Sequence, residues 1–269
     1  FRVAANTDGM HWSEGLVIEL QHEIRSQTDL TVIGPTKKLG TRTTFMPDHE
    51  IFGEIKYNFP KLSHRLRELS YLNGGLKITL ENEAAGVKRT FQNKGGIASF
   101  VKELAEKKEP IHPKPVYIQG QDAGIEIEVA LQWTASYDES IHAFANNINT
   151  VDGGTHLTGF KSSLTKFLNE YGREKKILKK TDSNLRGEDI REGLVCIISV
   201  KIPNPEFEGQ TKTKLGNPEV AGIIGSMIQE QLGLYFGKKP KIARMVIEKS
   251  VSASRARQAA AKARSMARR

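Results

Sequence analysis

Ile125 to Trp133 reads IEIEVALQW. Apolar residues fall at Ile125, Ile127, Val129, Leu131 and Trp133, with Glu126, Glu128 and Gln132 between them. A period of two is that of a strand whose successive side chains point to opposite faces, so this stretch predicts a half-buried β-strand. Ile141 to Ile148 predicts a second strand. Leu194 to Ile202, which holds the apolar run LVCIISV, predicts a third, buried one. Between the last two, Gly153-Gly154-Thr155 opens a segment with Leu157, Phe160, Leu164, Phe167 and Tyr171 at three- and four-residue spacing, the pattern of an amphipathic helix. Strand and helix patterns that mix without an internal repeat place the chain in the α/β (α+β) class.

Upstream, Phe1 to Trp12 predicts a hairpin about the turn dipeptide Asp8-Gly9, and Leu39 to Met46 a strand ended by Pro47-Asp48. Leu62, Leu66, Leu69 and Leu72 recur as on one face of a helix closed by Asn73-Gly74-Gly75. Leu76 to Leu80 and Val87 to Phe91 predict paired strands around the Glu83 to Gly86 turn, and Ile97, Val101 and Leu104 mark a further helix. The proline-rich EPIHPKP (Glu109 to Pro115) punctuates the chain. Downstream, Asn217-Pro218 predicts a helix start, with Asn217 as cap and Pro218 at the first helical position. Val220, Ile223, Met227 and Ile228 continue that helix and Gly237 ends it; the alanine-rich Ala253 to Arg269 predicts another.

The chain has 269 residues, enough for one or two domains with a sizeable core. Its 38% hydrophobic and 26% charged residues fit a globular protein rather than a disordered or fibrous one. No stretch approaches the roughly 18 apolar residues of a membrane span, and no signal peptide is seen, so no membrane partner is expected. Cys196 is the single cysteine, which excludes an internal disulfide. Inside its apolar run it reads as a small buried hydrophobe and suits a reducing, cytoplasmic compartment. The seven histidines have neither H-x₃-H spacing nor a paired cysteine, so no metal site is expected of them. Of the formal net charge of +9, six basic residues and no acids lie between Ser250 and Arg269. Such a tail can neutralise nucleic-acid phosphates or form a solvated helix leading into a neighbouring domain; charge alone leaves both open.

Two stretches could carry chemistry. In Gly209-Gln210-Thr211-Lys212-Thr213-Lys214, a lysine can reach a phosphate as a point charge and a glutamine amide can bond another oxygen, although a solvated polar loop has the same composition. Gly153-Gly154-Thr155-His156 sits at a helix start, where backbone N–H groups can hold an anion or where a tight turn and cap suffice. The nucleotide-binding patterns G-x-x-x-x-G-K-[ST] and G-x-G-x-x-G are absent.

Six stretches taken together carry a resemblance. They are LRELSYLNGGLKITL (Leu66 to Leu80), GGIASFVKEL (Gly95 to Leu104), IEVALQW (Ile127 to Trp133), NNINTVDGGTHLTGFKSSL (Asn146 to Leu164), DIREGLVCIISVKIPNPEFEGQTKTKLGN (Asp189 to Asn217) and the terminal SRARQAAAKARSMARR. In this order they resemble the B-type protein of DNA gyrase and its topoisomerase IV counterpart, over most of the chain from about Lys38 onward. The resemblance implies the end of a GHKL ATPase sandwich over residues 1–94. It implies a transducer domain over 95–254, with a ribosomal-protein-like fold and a left-handed βαβ crossover, and a basic helix over 255–269 leading to the DNA-cleavage core. By position, Gln210 and Lys212 match the loop that reaches the γ-phosphate of ATP, with Lys212 in the catalytic role of stabilising charge during phosphoryl transfer. Thr41 matches a threonine that helps bind adenine, and Lys161 a basic position lining the cavity through which DNA passes. The implied activity is that of an ATP-hydrolysing isomerase that changes DNA supercoiling. Implied cofactors are ATP and Mg²⁺; implied partners are DNA, the A-type cleavage subunit in a heterotetramer, and a second copy through the ATPase clamp.

The family's general-base glutamate, magnesium-binding asparagine, adenine-binding aspartate and glycine-rich lid are expected upstream of Phe1, so this chain alone is not expected to hydrolyse ATP. The alternative is a non-enzymatic DNA-binding clamp or scaffold module that has lost ATPase function, which would bind DNA without responding to nucleotide.

Overall fold

The computed structural model describes the backbone of residues 2–6, 11–20, 23–26, 31–35, 40–179 and 181–268, and side chains from Thr43 onward. The chain forms two compact units, Phe1–Asn58 and Phe59–Arg269.

The first unit is an antiparallel sheet of β1 (Arg2–Asn6), β2 (His11–Leu20), β3 (Glu23–Ser26), β4 (Thr31–Pro35) and β5 (Gly40–Thr44). The strand order is β3-β2-β1-β5, with β4 also on β2. β1 and β2 pair as the N-terminal hairpin predicts, Ala5 opposite Ser13, while the Asp8-Gly9 turn lies outside the described residues. Asp48 follows β5 and accepts a bond from the Glu50 N–H at 2.8 Å, capping the short helix α1 (His49–Phe52).

The second unit begins with α2 (Phe59–Leu72), the hairpin β6 (Lys77–Asn82) and β7 (Val87–Gln92), and α3 (Gly96–Glu106). Then come β8 (Val116–Asp122), β9 (Ile125–Trp133), β10 (Ser140–Ala145), β11 (Ile148–Asn149), β12 (Gly153–Gly154), α4 (Thr155–Glu174), α5 (Gly187–Arg191) and β13 (Leu194–Lys201). The chain closes with β14 (Phe207–Glu208), β15 (Lys214–Leu215), α6 (Glu219–Met227), a π-helical turn (Ile228–Leu232), α7 (Gly233–Lys238) and α8 (Pro240–Ala267).

The central sheet has the order β11-β10-β13-β9-β8. β10 and β13 are parallel neighbours joined through α4, a βαβ unit, and the other pairs are antiparallel. Alternate side chains feed two cores. Val129, Leu131, Cys196 and Ile198 pack with Phe160, Leu164, Val220, Phe236 and Val246 from α4, α6, α7 and α8. Ala130, Val195, Ile197 and Phe144 pack with Tyr71, Leu72, Ile97, Phe100 and Val101 from α2 and α3. Helices therefore cover both faces. This is why β9 alternates only at its start and is buried throughout from Val129 to Trp133, where a half-buried strand was expected. It is also why α2 belongs to the second unit.

Three expectations shift. Ile141 to Ile148 is a hairpin rather than one strand, because Asn146 (φ 47°) and Asn147 (φ 65°) turn the chain between β10 and β11. Asn217 does not cap α6, whose cap position is Pro218. The last helix starts at Pro240, well before Ala253, and buries Ala243, Val246 and Ile247. Cys196 is fully buried as expected, and burial pushes its thiol well up.

Candidate functional site

Gly209 to Thr213 forms the tip of a hairpin whose strands are two residues each, Phe207 opposite Leu215 and Glu208 opposite Lys214. Gly209 (φ 79°) and Lys212 (φ 54°) take left-handed backbone, and the Lys212 N–H donates to the Gly209 carbonyl at 3.3 Å. That conformation is uncommon for a residue with a Cβ. Gln210 and Lys212 are exposed. The Lys212 ammonium lies 6.0 Å from the Phe207 ring centroid, the outer limit of a cation–π contact. Lys214 is engaged instead, 2.9 Å from Glu208. The tip thus carries an exposed amide and an exposed ammonium two residues apart, groups that suit a phosphate oxygen.

The base of the hairpin is fixed. Asn217 is buried; its Oδ1 accepts from the Glu206 N–H at 2.7 Å, and its Nδ2 donates to the Asn204 carbonyl at 3.2 Å and to Glu219 Oε1 at 3.0 Å. Its side chain ties the two ends of the hairpin together, which the capping expectation missed. The Gly216 N–H donates to the Glu206 carbonyl at 2.7 Å, and the Asp152 N–H to the Thr213 carbonyl at 3.0 Å. β15 runs parallel to β12, Gly153 opposite Lys214 and Gly154 opposite Leu215. At Gly154 (φ 133°) any Cβ would overlap the Leu215 backbone. The two glycines at the start of α4 thus permit a close strand approach, joining the hairpin to that helix; this matches the tight-turn reading of Gly153 to His156.

Lys161 lies on the exposed side of α4. It lines a surface groove of about 680 Å³ with Thr158, Thr165, Lys166, Asn169 and Arg191. Its ammonium is 2.6 Å from Glu139 Oε1, and the Arg191 Nε donates to Glu139 Oε2 at 2.8 Å. Burial pushes the Glu139 carboxyl up, but bonds from Lys161 and Arg191 more than offset this and hold it below the ordinary range. Neither Glu139 nor Arg191 stands out in the sequence, since the three residues come from separate elements and no spacing links them.

Thr41 pairs with Ala5 through β5 in the first unit, and its side chain lies outside the described residues. Among the described residues no group of three or more His, Cys, Asp or Glu is placed to hold a metal ion. No helix among them is long and apolar enough to cross a membrane.

The model of the DNA gyrase B family matches residues 96–266. A DNA gyrase B protein from Bacillus mycoides is 50% identical over 243 residues, covering 90% of this chain and 60% of that protein. One from Clostridium acetobutylicum is 45% identical over 268 residues, covering 99% of this chain and 41% of that protein. The chain thus spans 60% and 41% of the length of these two relatives. Among solved structures, the 43K ATPase domain of Thermus thermophilus gyrase B, in complex with an aminocoumarin, superposes with a TM-score of 0.83 at 39% identity, covering 98% of this chain and 71% of that one. The topoisomerase IV ATP-binding domain of Francisella tularensis, in complex with a small-molecule inhibitor, gives a TM-score of 0.78 at 25% identity, covering 95% of this chain and 69% of that one.

Proposed function

Because this chain belongs to the DNA gyrase B family, within which it corresponds to the ATPase and transducer region, we propose that it couples ATP binding and hydrolysis to DNA strand passage in a type II topoisomerase. Residues 1–94 close the GHKL ATPase domain, 95–254 form the transducer, and 255–269 lead toward the cleavage core. The start of α3 at Gly96 and of the family match at residue 96 support the first boundary, which differs from the division by compactness at Asn58.

One observation carries this reading: Gln210 and Lys212 sit exposed at the tip of a hairpin whose base is locked to α4 and α6. ATP supplies a γ-phosphoryl group whose transfer builds negative charge. The Lys212 ammonium places a cation at that charge, and the Gln210 amide donates a hydrogen bond beside it. Thr41 contributes to the adenine side, and Lys161 faces DNA. Phosphate contact at the tip biases the position of the hairpin and, through β15 and β12, of α4, a switch between two states set by a local charge contact. The assembly acts with Mg²⁺, DNA, an A-type cleavage subunit and a second copy, in the cytoplasm.

Lys212→Ala in a full-length subunit should abolish ATP-driven supercoiling or relaxation. Wild-type turnover in that variant would sink the proposal.

A further inference from the structure

The α4 groove contains a charge arrangement that a simple polyanion track does not need. Lys161, Lys166 and Arg191 line it, and two of these three cations share one carboxylate, Glu139. Lys161 and Glu139 are each about one-third exposed, at 33% and 32%, and the Arg191 side chain is more buried at 17%. Arg191 is also seated by Gly187, where a Cβ would collide with its guanidinium. Glu139 comes from the segment leading into β10, so it meets α4 and the end of α5 only in the folded chain. Each cation keeps donors unspent: Lys161 has given one of three to Glu139, and Arg191 has given only its Nε, with one Nη packed against Gly187.

We infer that Glu139 is a built-in brake on polyanion binding, a positioning residue that holds Lys161 and Arg191 together while cancelling one of their two charges. This rests on the reading of Lys161 as a DNA contact and assigns Arg191 as the second cation of that contact. A phosphodiester approaching the pair meets a net single positive charge. It can bond the free donors of both cations, but it does not gain the full attraction of two unpaired ones and is repelled by the carboxylate behind them. Such a site contacts DNA without retaining it, which suits a segment in transit.

The test uses this chain with a labelled short DNA duplex, titrated by fluorescence anisotropy at several salt concentrations, for wild type, Glu139→Gln, Glu139→Asp and Lys161→Ala. Glu139→Gln should bind roughly fivefold tighter near 0.1 M salt, with a log–log salt slope steeper by about 0.9, the value for one more phosphate neutralised. Glu139→Asp, which keeps the charge, should return toward wild type. Thermal unfolding of each variant checks folding, and loss of the ion pairs alone would not steepen a salt slope. If Lys161→Ala weakens binding but Glu139→Gln neither tightens it nor steepens the slope, the brake is wrong and the DNA reading stands. If neither wild type nor Glu139→Gln binds the duplex, both fall.

Discussion

His156 is fully buried at the start of α4, and its Nε2 lies 2.9 Å from the Thr150 hydroxyl. That hydroxyl donates its only proton to the Ala143 carbonyl, also at 2.9 Å. The imidazole must then be the donor through Nε2–H, which leaves Nδ1 as a bare lone pair, and that atom is buried without a partner. A second proton would sit on Nδ1 with nothing to accept it, and burial lowers the ring's pKa from 6.5 to about 4. The unfolded chain therefore binds a proton that the native chain refuses between those values. Stability is full above pH 6.5 and declines as pH falls toward 4, by on the order of 3 kcal/mol from this group. His156→Gln should flatten that part of the stability–pH curve, as followed by urea unfolding at a series of pH values. An unchanged slope would assign the acid sensitivity elsewhere.

Among the elements, β12 and β15 have two residues each and approach one another closely. Gly154→Ala puts a Cβ into the Leu215 backbone at a φ that L-residues rarely adopt, so two penalties act together. The expected loss is about 3 kcal/mol or more in thermal or denaturant unfolding, with increased amide exchange across Thr213 to Gly216. Gly209→Ala faces open space and pays only for backbone conformation, so it should cost less. These strands also mark where reading the sequence ends. Long periodic elements were legible: the Leu62 to Leu72 and Leu157 to Tyr171 patterns lie in α2 and α4, and the apolar Leu194 run is β13. Two-residue strands carry no period, so the hairpin that presents Gln210 and Lys212 could be read only as a polar loop. Asn217 was legible as a helix-start residue, but its bonds to Asn204 and Glu206 depend on a loop folding back. The Glu139–Lys161–Arg191 set was illegible for the same reason: tertiary structure alone brings the three together.

At the scale of the whole second unit, one ion pair governs how far the C-terminal helix is held. Arg257 grips Asp189 through Nε at 2.8 Å and Nη2 at 2.9 Å, and Asp189 also accepts from the Arg186 N–H. Burial pushes the Asp189 carboxyl up, but these bonds more than offset it and hold it low. Ser254 is the last buried residue of α8 and Arg257 the last partly covered one; from Gln258 to Ala267 the helix is exposed. Arg257→Ala should speed amide exchange from Ser250 to Ala267 roughly tenfold while leaving α4 protected. Lysine at 257 keeps the charge but lacks the fork, so it should recover only part of that protection.

The strand order of the central sheet bears on how this unit comes to be folded. β8 and β9 are neighbours in sequence and can pair early, as can β6 with β7, whereas β13 must enter between β9 and β10 after α4 and α5 have been made. Its partners are far along the chain, Trp133 for Leu194 and Ser140 for Val195. Closing such long loops makes insertion of β13 the expected late step. Until then β9 and β10 expose unpaired edges, a template for pairing with another chain. During synthesis the unit stays open to misassembly until Lys201 has left the ribosome, and a nascent chain stalled before that point should aggregate where one stalled beyond Ala267 folds.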